Sequence, residues 1–290
     1  MKPPPFSYYA PSSVSEAVSL LASLDNARVL AGGQSLLPML NMRFATPDHV
    51  IDINRIPELF GISVHDGEVV IGAMTRQREL EFSTEIREHL PLMHEALQFV
   101  GHRQTRNRGT IGGSLCHLDP AAELPCVSAA YDAIVEVVSD AGVREIPFAQ
   151  FPLGYLTPSI EAGEMVRAIR FPLWPKAAGA AFVEFARRHG DFAIVSAAAL
   201  VLLAENGRVE RVSLALGGVG SGPMRMHDVE ARLVGETLTP EAIKSAAREC
   251  GEIEIDDDPY APAHYRKHLC RTLAARALET AAIRAGWSRS

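Results

Sequence analysis

Val14, Ala17, Val18, Leu21 and Leu24 fall on one face of a 3.6-residue period, which predicts a helix over 13–24. Ser13 and Glu16 have capping-box spacing at its start. Short apolar stretches at 28–30 and 50–53 read as strands. Asp66-Gly67, between Ile62-Ser63-Val64 and Val69-Val70-Ile71, is a hairpin signal, because Asp-Gly tolerates the positive φ of a tight turn. Residues 90–100 and 121–131 read as helices, and 134–138 with 143–146 as a second hairpin turning at Asp140 and Gly142. Pro172-Leu173-Trp174-Pro175 interrupts regular structure. Beyond it, strands are expected at 180–185, 198–203 and 209–216, the last two joined through Asn206-Gly207. Two helices close the chain. Thr239 and Pro240 suit the cap and first turn of one. The other runs from about 262 to 285, with Gly286 as its stop and Leu269, Leu273, Ala277 and Leu278 as a packing stripe.

Hairpins without regular βαβ alternation indicate an α+β fold rather than a doubly wound parallel sheet. The proline-rich break divides the chain into 1–176 and 177–290, with a softer division of the first part into about 1–55 and 56–176. With 290 residues, 47% of them hydrophobic, the chain can bury a core without staples. A net charge of −7 argues against nucleic acid as the main partner. The basic run His102, Arg103, Arg106 and Arg108 is therefore read first as a solvated loop, with a cofactor's phosphates or a partner subunit as alternatives. Cys116, Cys126, Cys250 and Cys270 show no CxxC spacing and are too few for two iron–sulfur clusters of four thiolates each. Free thiols in a reducing compartment are expected. The N-terminus has no signal-type apolar core, and no apolar run reaches the roughly 18 residues of a spanning helix. A cytoplasmic location is the expectation.

The most informative chemistry is a pair of glycine turns, Ala31-Gly32-Gly33-Gln34-Ser35 and Thr110-Ile111-Gly112-Gly113-Ser114. Each is read as following a short β-like stretch and carries a hydroxyl residue after the glycines. Glycine permits close approach and positive φ, so successive N–H groups can converge on one anion such as a pyrophosphate. A helix starting near Leu36 would add its N-terminal dipole. One Gly-Gly pair is commonly a plain turn; two similar ones favour binding but leave the ligand open. There is no GxxxxGK[ST], no HExxH and no GxSxG, and Gly217, Gly218, Gly220 and Gly222 fit a turn after a strand rather than GxGxxG. His117 and Asp119 are better explained by turn chemistry before Pro120 than by acid–base catalysis.

The first turn continues into Leu36, Pro38 and Arg43, and the second runs through Asp119-Pro120-Ala121-Ala122-Glu123-Leu124-Pro125. In this order and spacing they resemble the two FAD motifs of the medium subunits of molybdenum hydroxylases. Phe6-Ser7-Tyr8, Ile51-Asp52-Ile53, Gly72-Ala73 and Gly190-Asp191-Phe192-Ala193 extend the resemblance over nearly the whole chain. It implies a two-part FAD-binding domain of the vanillyl-alcohol-oxidase (PCMH) type followed by a small α/β C-terminal domain. It also implies that Ala31, Gly32, Gly33, Gln34 and Ser35, with Thr110, Ile111, Gly112, Gly113 and Ser114, wrap the FAD pyrophosphate. By the same resemblance Leu36 packs on the cofactor, and Cys116 lies in a strand-like stretch against it. Glu123 matches a carboxylate for ribityl or ribose hydroxyls, and Phe192 an aromatic near the isoalloxazine ring. Ser114 replaces a frequent asparagine, Gln34 a histidine of some relatives, and Ala186 a lysine of others. The implied role is electron transfer. A large partner subunit holds a molybdenum–pterin cofactor, a small one holds two [2Fe-2S] clusters, and this chain carries FAD, in a heterohexamer of paired heterotrimers. The alternatives are a stand-alone FAD-dependent oxidoreductase of the same fold and a binding module in which the glycine turns are merely structural.

Overall fold

The protein is described by a computed structural model covering residues 1–258 and 261–288. Its first unit is small: β1 (Ser7–Tyr9), α1 (Val14–Ser23), β2 (Ala27–Leu30), α2 (Leu36–Met42) and β3 (His49–Asp52). The strands are parallel, in the order β1-β3-β2. This regular alternation escapes the sequence pattern because no strand exceeds four residues, too few for a period to register. Ser13 caps α1 by accepting from the Glu16 N–H at 3.2 Å, while Glu16 reaches back to the Ser12 N–H at 2.8 Å, one residue earlier than a standard capping box.

The second unit opens with the hairpin β4 (Ile62–His65) and β5 (Glu68–Gly72), whose turn has Asp66 at φ 51° and Gly67 at φ 79°. Six short helices follow: α3 (Gln77–Phe82), α4 (Thr84–His89), α5 (Pro91–Ala96), α6 (Arg103–Arg108), α7 (Ile111–His117) and α8 (Glu123–Ala130). The helix expected over 90–100 is thus shorter. Gln98 and Phe99 bond to carbonyls three residues back, tightening the end before Gly101 turns the chain at φ 47°. The unit closes with β6 (Ile134–Ser139), β7 (Gly142–Pro147), β8 (Pro152–Gly154), β9 (Thr157–Pro158) and β10 (Met165–Pro172). A five-stranded antiparallel sheet, β4-β5-β10-β6-β7, forms one wall of its core.

The last unit is a four-stranded antiparallel sheet of β11 (Gly179–Phe185), β12 (Val195–Leu203), β13 (Val209–Gly217) and β14 (Met224–Arg225), with α9 (His227–Leu233), α10 (Pro240–Glu249) and α11 (Ala263–Arg284). Thr239 caps α10 by accepting from the Ala242 N–H, and Gly286, at φ 97°, follows the end of α11. Leu269, Leu273, Ala277 and Leu278 are all buried. The sheet alternates along β12 and along β13 from Val212 onward. Ala197, Ala199, Val201, Leu214 and Leu216 belong to the core under α9–α11, whereas Ala198, Leu200, Leu202 and Ala215 belong to the core of the second unit. Both faces of β12 are therefore covered, which accounts for its alanine-rich, almost entirely buried sequence. Glu95 of α5 ties the units at the sheet edge: it accepts from the Phe182 N–H at 3.1 Å and from Arg284 of α11 at 2.8 Å. Trp174 is buried beneath Arg211, whose guanidinium stands 4.0 Å from the ring centroid.

Candidate functional site

The two glycine turns meet. The first leaves β2 and leads into α2. A Cβ on Gly32 would stand 2.9 Å from both the Arg108 carbonyl carbon and the Gly109 Cα, and closer still to the Arg108 oxygen. Only glycine lets this backbone lie against the approach to the second turn. Gly33 supplies the positive φ, 73°, that swings the chain into α2. Among the described residues, no group accepts from the backbone N–H of Gly32, Gly33, Gln34, Ser35 or Leu36, so five successive donors are open. The Ser35 hydroxyl makes no capping bond either. Gln34, exposed, folds its amide back to the Gly32 carbonyl at 3.2 Å.

The second turn is built differently from the expectation. No strand precedes it: α6 runs up to Gly109, and only an isolated bridge joins Thr110 to Arg76. Residues 111–117 form α7, so Cys116 lies on a helix rather than in a strand-like stretch. Thr110 caps that helix, its hydroxyl accepting from the Gly113 N–H at 3.1 Å. The Ile111 and Gly112 N–H groups bond to Thr75 and Ala73 carbonyls. Gly112 has a non-positive φ; its lack of a side chain is needed because a Cβ would meet the Ala73 Cβ at 2.7 Å. A Gly113 Cβ would lie 3.6 Å from that of Ala31, so the two motifs touch here as well. Ser114 is half-buried and, among the described residues, its hydroxyl has no partner. Burial pushes the Cys116 thiol up to about 12, so it is not a reactive thiolate.

A polar chain that the sequence reading did not anticipate links the turns from behind. Tyr8 donates to Asp52 at 2.6 Å, and Asn54 donates to Asp52 at 2.5 Å and to the Ala31 carbonyl at 2.8 Å. Arg76 donates to the Asn54 side-chain oxygen and to the Arg108 carbonyl, each at 2.5 Å. Burial alone would raise the Asp52 carboxyl, but the bonds from Tyr8 and Asn54 outweigh it and hold the group below its ordinary value. The basic run is not a loop, although His102, Arg103 and Arg108 are exposed to solvent. It forms α6, and Arg106 is buried in it, paired with Glu81 at 2.9 Å and donating to the Val100 carbonyl.

Glu123 begins α8 and is buried. Burial pushes its carboxyl up to about 8, and the nearby Glu184 and Asp119 carboxylates add to the effect. Burial pushes Glu184, on β11, up to about 7, and one of its oxygens has no hydrogen-bond partner. Asp119 serves the turn chemistry expected of it, accepting from the Ala121 N–H at 2.9 Å. The Gly217-Gly218 turn is held rather than loose, since the Gly218 N–H bonds to the Pro120 carbonyl at 2.7 Å and Arg266 donates to the Gly218 carbonyl. Phe192 is 59% exposed on the β11–β12 loop. Gly190 in that loop lies against Gly101, where a Cβ would stand 3.1 Å from the Gly101 carbonyl oxygen, so the loop packs on the turn leading into α6. The structure thus brings Ala31–Ser35 and Thr110–Ser114 together directly and attaches the Phe192 loop to the same α6 approach.

A nest of open backbone donors against a second glycine turn, in an α+β frame with an antiparallel C-terminal sheet, defines a protein with a seat suited to a phosphate-bearing ligand. The chain belongs to the molybdopterin dehydrogenase flavoprotein family: residues 4–174 match the FAD binding domain in molybdopterin dehydrogenase, and residues 180–281 match the CO dehydrogenase flavoprotein C-terminal domain. It is an FAD-binding subunit of an oxidoreductase. It is similar to the 6-hydroxypseudooxynicotine dehydrogenase complex subunit alpha of Paenarthrobacter nicotinovorans, 43% identical over 98% of this chain and 97% of that protein. Its fold superposes on a carbon monoxide dehydrogenase of Hydrogenophaga pseudoflava with a TM-score of 0.95, at 40% identity over 98% of this chain and 99% of that one. Quinoline 2-oxidoreductase of Pseudomonas putida 86 gives 0.94 at 35% identity, over 99% and 100% of the two chains.

Proposed function

We propose that this chain is the FAD-holding, electron-delivering subunit of a molybdenum-dependent dehydrogenase. Electrons reach it from [2Fe-2S] clusters on a small partner subunit, after a large molybdenum–pterin subunit has oxidised the substrate, and leave it for a terminal acceptor. The observation that carries this reading is the run of five open N–H groups from Gly32 to Leu36, packed against the approach to the second turn. Such a nest suits a diphosphate without needing a lysine. In this reading Gly32, Gly33, Gln34 and Ser35 bind the diphosphate through backbone N–H groups, and the Ser35 and Ser114 hydroxyls add donors. Thr110, Ile111, Gly112 and Gly113 hold the opposing wall, since most of their own donors are engaged within the protein. Ala31 and Leu36 flank the seat, and Cys116 packs as a neutral thiol. Glu123 accepts from sugar or ribityl hydroxyls, and Phe192 shields the ring. When bound, FAD supplies a carrier that takes up electrons singly and releases them in pairs.

Assembly as a heterohexamer of paired heterotrimers and a cytoplasmic location complete the proposal; among the described residues no helix is long and apolar enough to cross a membrane. The test is a visible spectrum of the chain purified with and without its partners, with mass identification of released flavin. One FAD per chain in both, with iron–sulfur absorbance only when partners are present, is the expected outcome. Absence of flavin after incubation with excess FAD would overturn the reading.

A further inference from the structure

The turns that meet at Gly32 are distant in sequence and reach the site from different units, so something must set their spacing. Van der Waals contact at Gly32 limits how near they come but does not hold them together. Among the described residues, the side chains that join the backbone of one approach to that of the other belong to the polar chain described above. Arg76 donates to the carbonyl of Arg108, the residue before Gly109-Thr110, and its other terminal nitrogen donates to the Asn54 side-chain oxygen. Asn54 in turn donates to the carbonyl of Ala31, the residue before Gly32-Gly33. The bridge is itself braced. Asp52 holds Asn54, Tyr8 holds Asp52, and the Arg76 backbone N–H bonds to Glu79 at 3.0 Å.

We propose that Arg76 and Asn54 form a clamp that fixes the separation of the two glycine turns, making Arg76 a positioning residue for the cofactor's diphosphate. This rests on the diphosphate seat proposed above. The planar, forked guanidinium is what the task requires, because it presents two donors in fixed directions to two acceptors on different segments. A lysine ammonium keeps the charge but offers no such fork. Because the clamp bonds backbone carbonyls and leaves the open N–H groups of Gly32 to Leu36 untouched, it acts on the shape of the nest rather than as a ligand of the diphosphate.

The experiment uses the full chain stripped of flavin, titrated calorimetrically with ADP, which carries the diphosphate but no ring. Arg76→Met and Asn54→Leu should each weaken ADP roughly 10- to 100-fold, the range expected when a part-buried, charge-assisted hydrogen bond is lost. The double variant should be little worse than either single one, since both break the same bridge. Arg76→Lys should fail to restore affinity. At saturating FAD the visible spectrum of the loaded variants should match that of the parent. Asn54→Leu removes no ion, so it keeps the test open if Arg76→Met folds poorly. Full rescue by Arg76→Lys, additive losses in the double variant, or unchanged ADP affinity would each overturn the clamp. A Gly33→Val control separates the two ideas. ADP binding weakened there but unchanged in Arg76→Met removes the clamp alone, whereas ADP binding unchanged in both removes the diphosphate seat as well.

Discussion

Replacing Gly32 with alanine tests the meeting of the two turns most directly. The added methyl would lie 2.9 Å from two backbone atoms of the opposing segment, Arg108 C and Gly109 Cα, against the 3.4 Å at which ordinary contact begins. The obstructing atoms are backbone, so no rotamer change relieves them; the turns must part by at least about half an ångström at this point. Overpacking of this kind costs about 1–3 kcal/mol. If that cost falls on the assembled two-turn state, FAD affinity drops roughly 5- to 150-fold. The assay is flavin fluorescence quenching on the apo chain, with flavin content of the purified protein as a second readout. Gly154→Ala is the control, because a Cβ there meets nothing within 4 Å and needs no positive φ. Gly32→Ala protein that keeps one FAD per chain at parental affinity would refute the argument that the turns must touch.

Three further outcomes are expected. Gly33→Val places a β-branched residue at φ 73°, beside Leu37 and Leu30, and should cost about 1–2 kcal/mol of FAD binding, read as a roughly 5- to 30-fold rise in Kd; an unchanged Kd would contradict it. Arg106→Met leaves Glu81 with only Arg78 at 2.9 Å and strips the Val100 carbonyl of its donor, so denaturant unfolding should show a loss of about 2–4 kcal/mol, and a loss below about 1 kcal/mol would mean that the pair is not needed. Because the buried Glu123 carboxyl sits at about 8, above its value of about 4.3 in the unfolded chain, the fold takes up a proton. Stability is then fullest below the unfolded value and falls as pH rises toward 8. Glu123→Gln should flatten the decline in melting temperature of the flavin-free chain between pH 5 and 8, whereas parallel slopes would show that Glu123 is not the titrating group.

The elements set by local chemistry were legible before the structure. The Asp66-Gly67 hairpin needs only positive φ at its tip, and the Thr239–Pro240 helix start needs only a cap and a restrained first turn. Helix α7 was not legible, because seven residues with two adjacent glycines have poor intrinsic helix propensity. Packing of Gly112 on Ala73 and the Thr110 cap hold it in place. The two glycine turns do lie against each other, but the helical build of the second is not visible in its sequence, and the ligand comes from the resemblance rather than from the turns themselves. The Arg76 bridge was out of reach for a different reason. Its partners lie 22 and 32 residues away, and nothing in the local pattern of any of the three segments marks them as neighbours. Arg106 was hidden in the same way, since its carboxylate partner is 25 residues upstream and the surrounding run looks solvated.

The two-faced C-terminal sheet bears on how this molecule can be cut and how it can move. A chain that breaks at Pro172-Leu173-Trp174-Pro175 invites separation into two proteins, yet neither product would be finished. The first would lose the wall formed by Ala198, Leu200, Leu202 and Ala215, and the second would carry that same row bare into water. The halves are closer to two tenants of one partition than to beads on a string. Hinged opening between them would strip an oily plane, so the partition resists it, and freedom of movement is left to surface loops such as the one bearing Phe192.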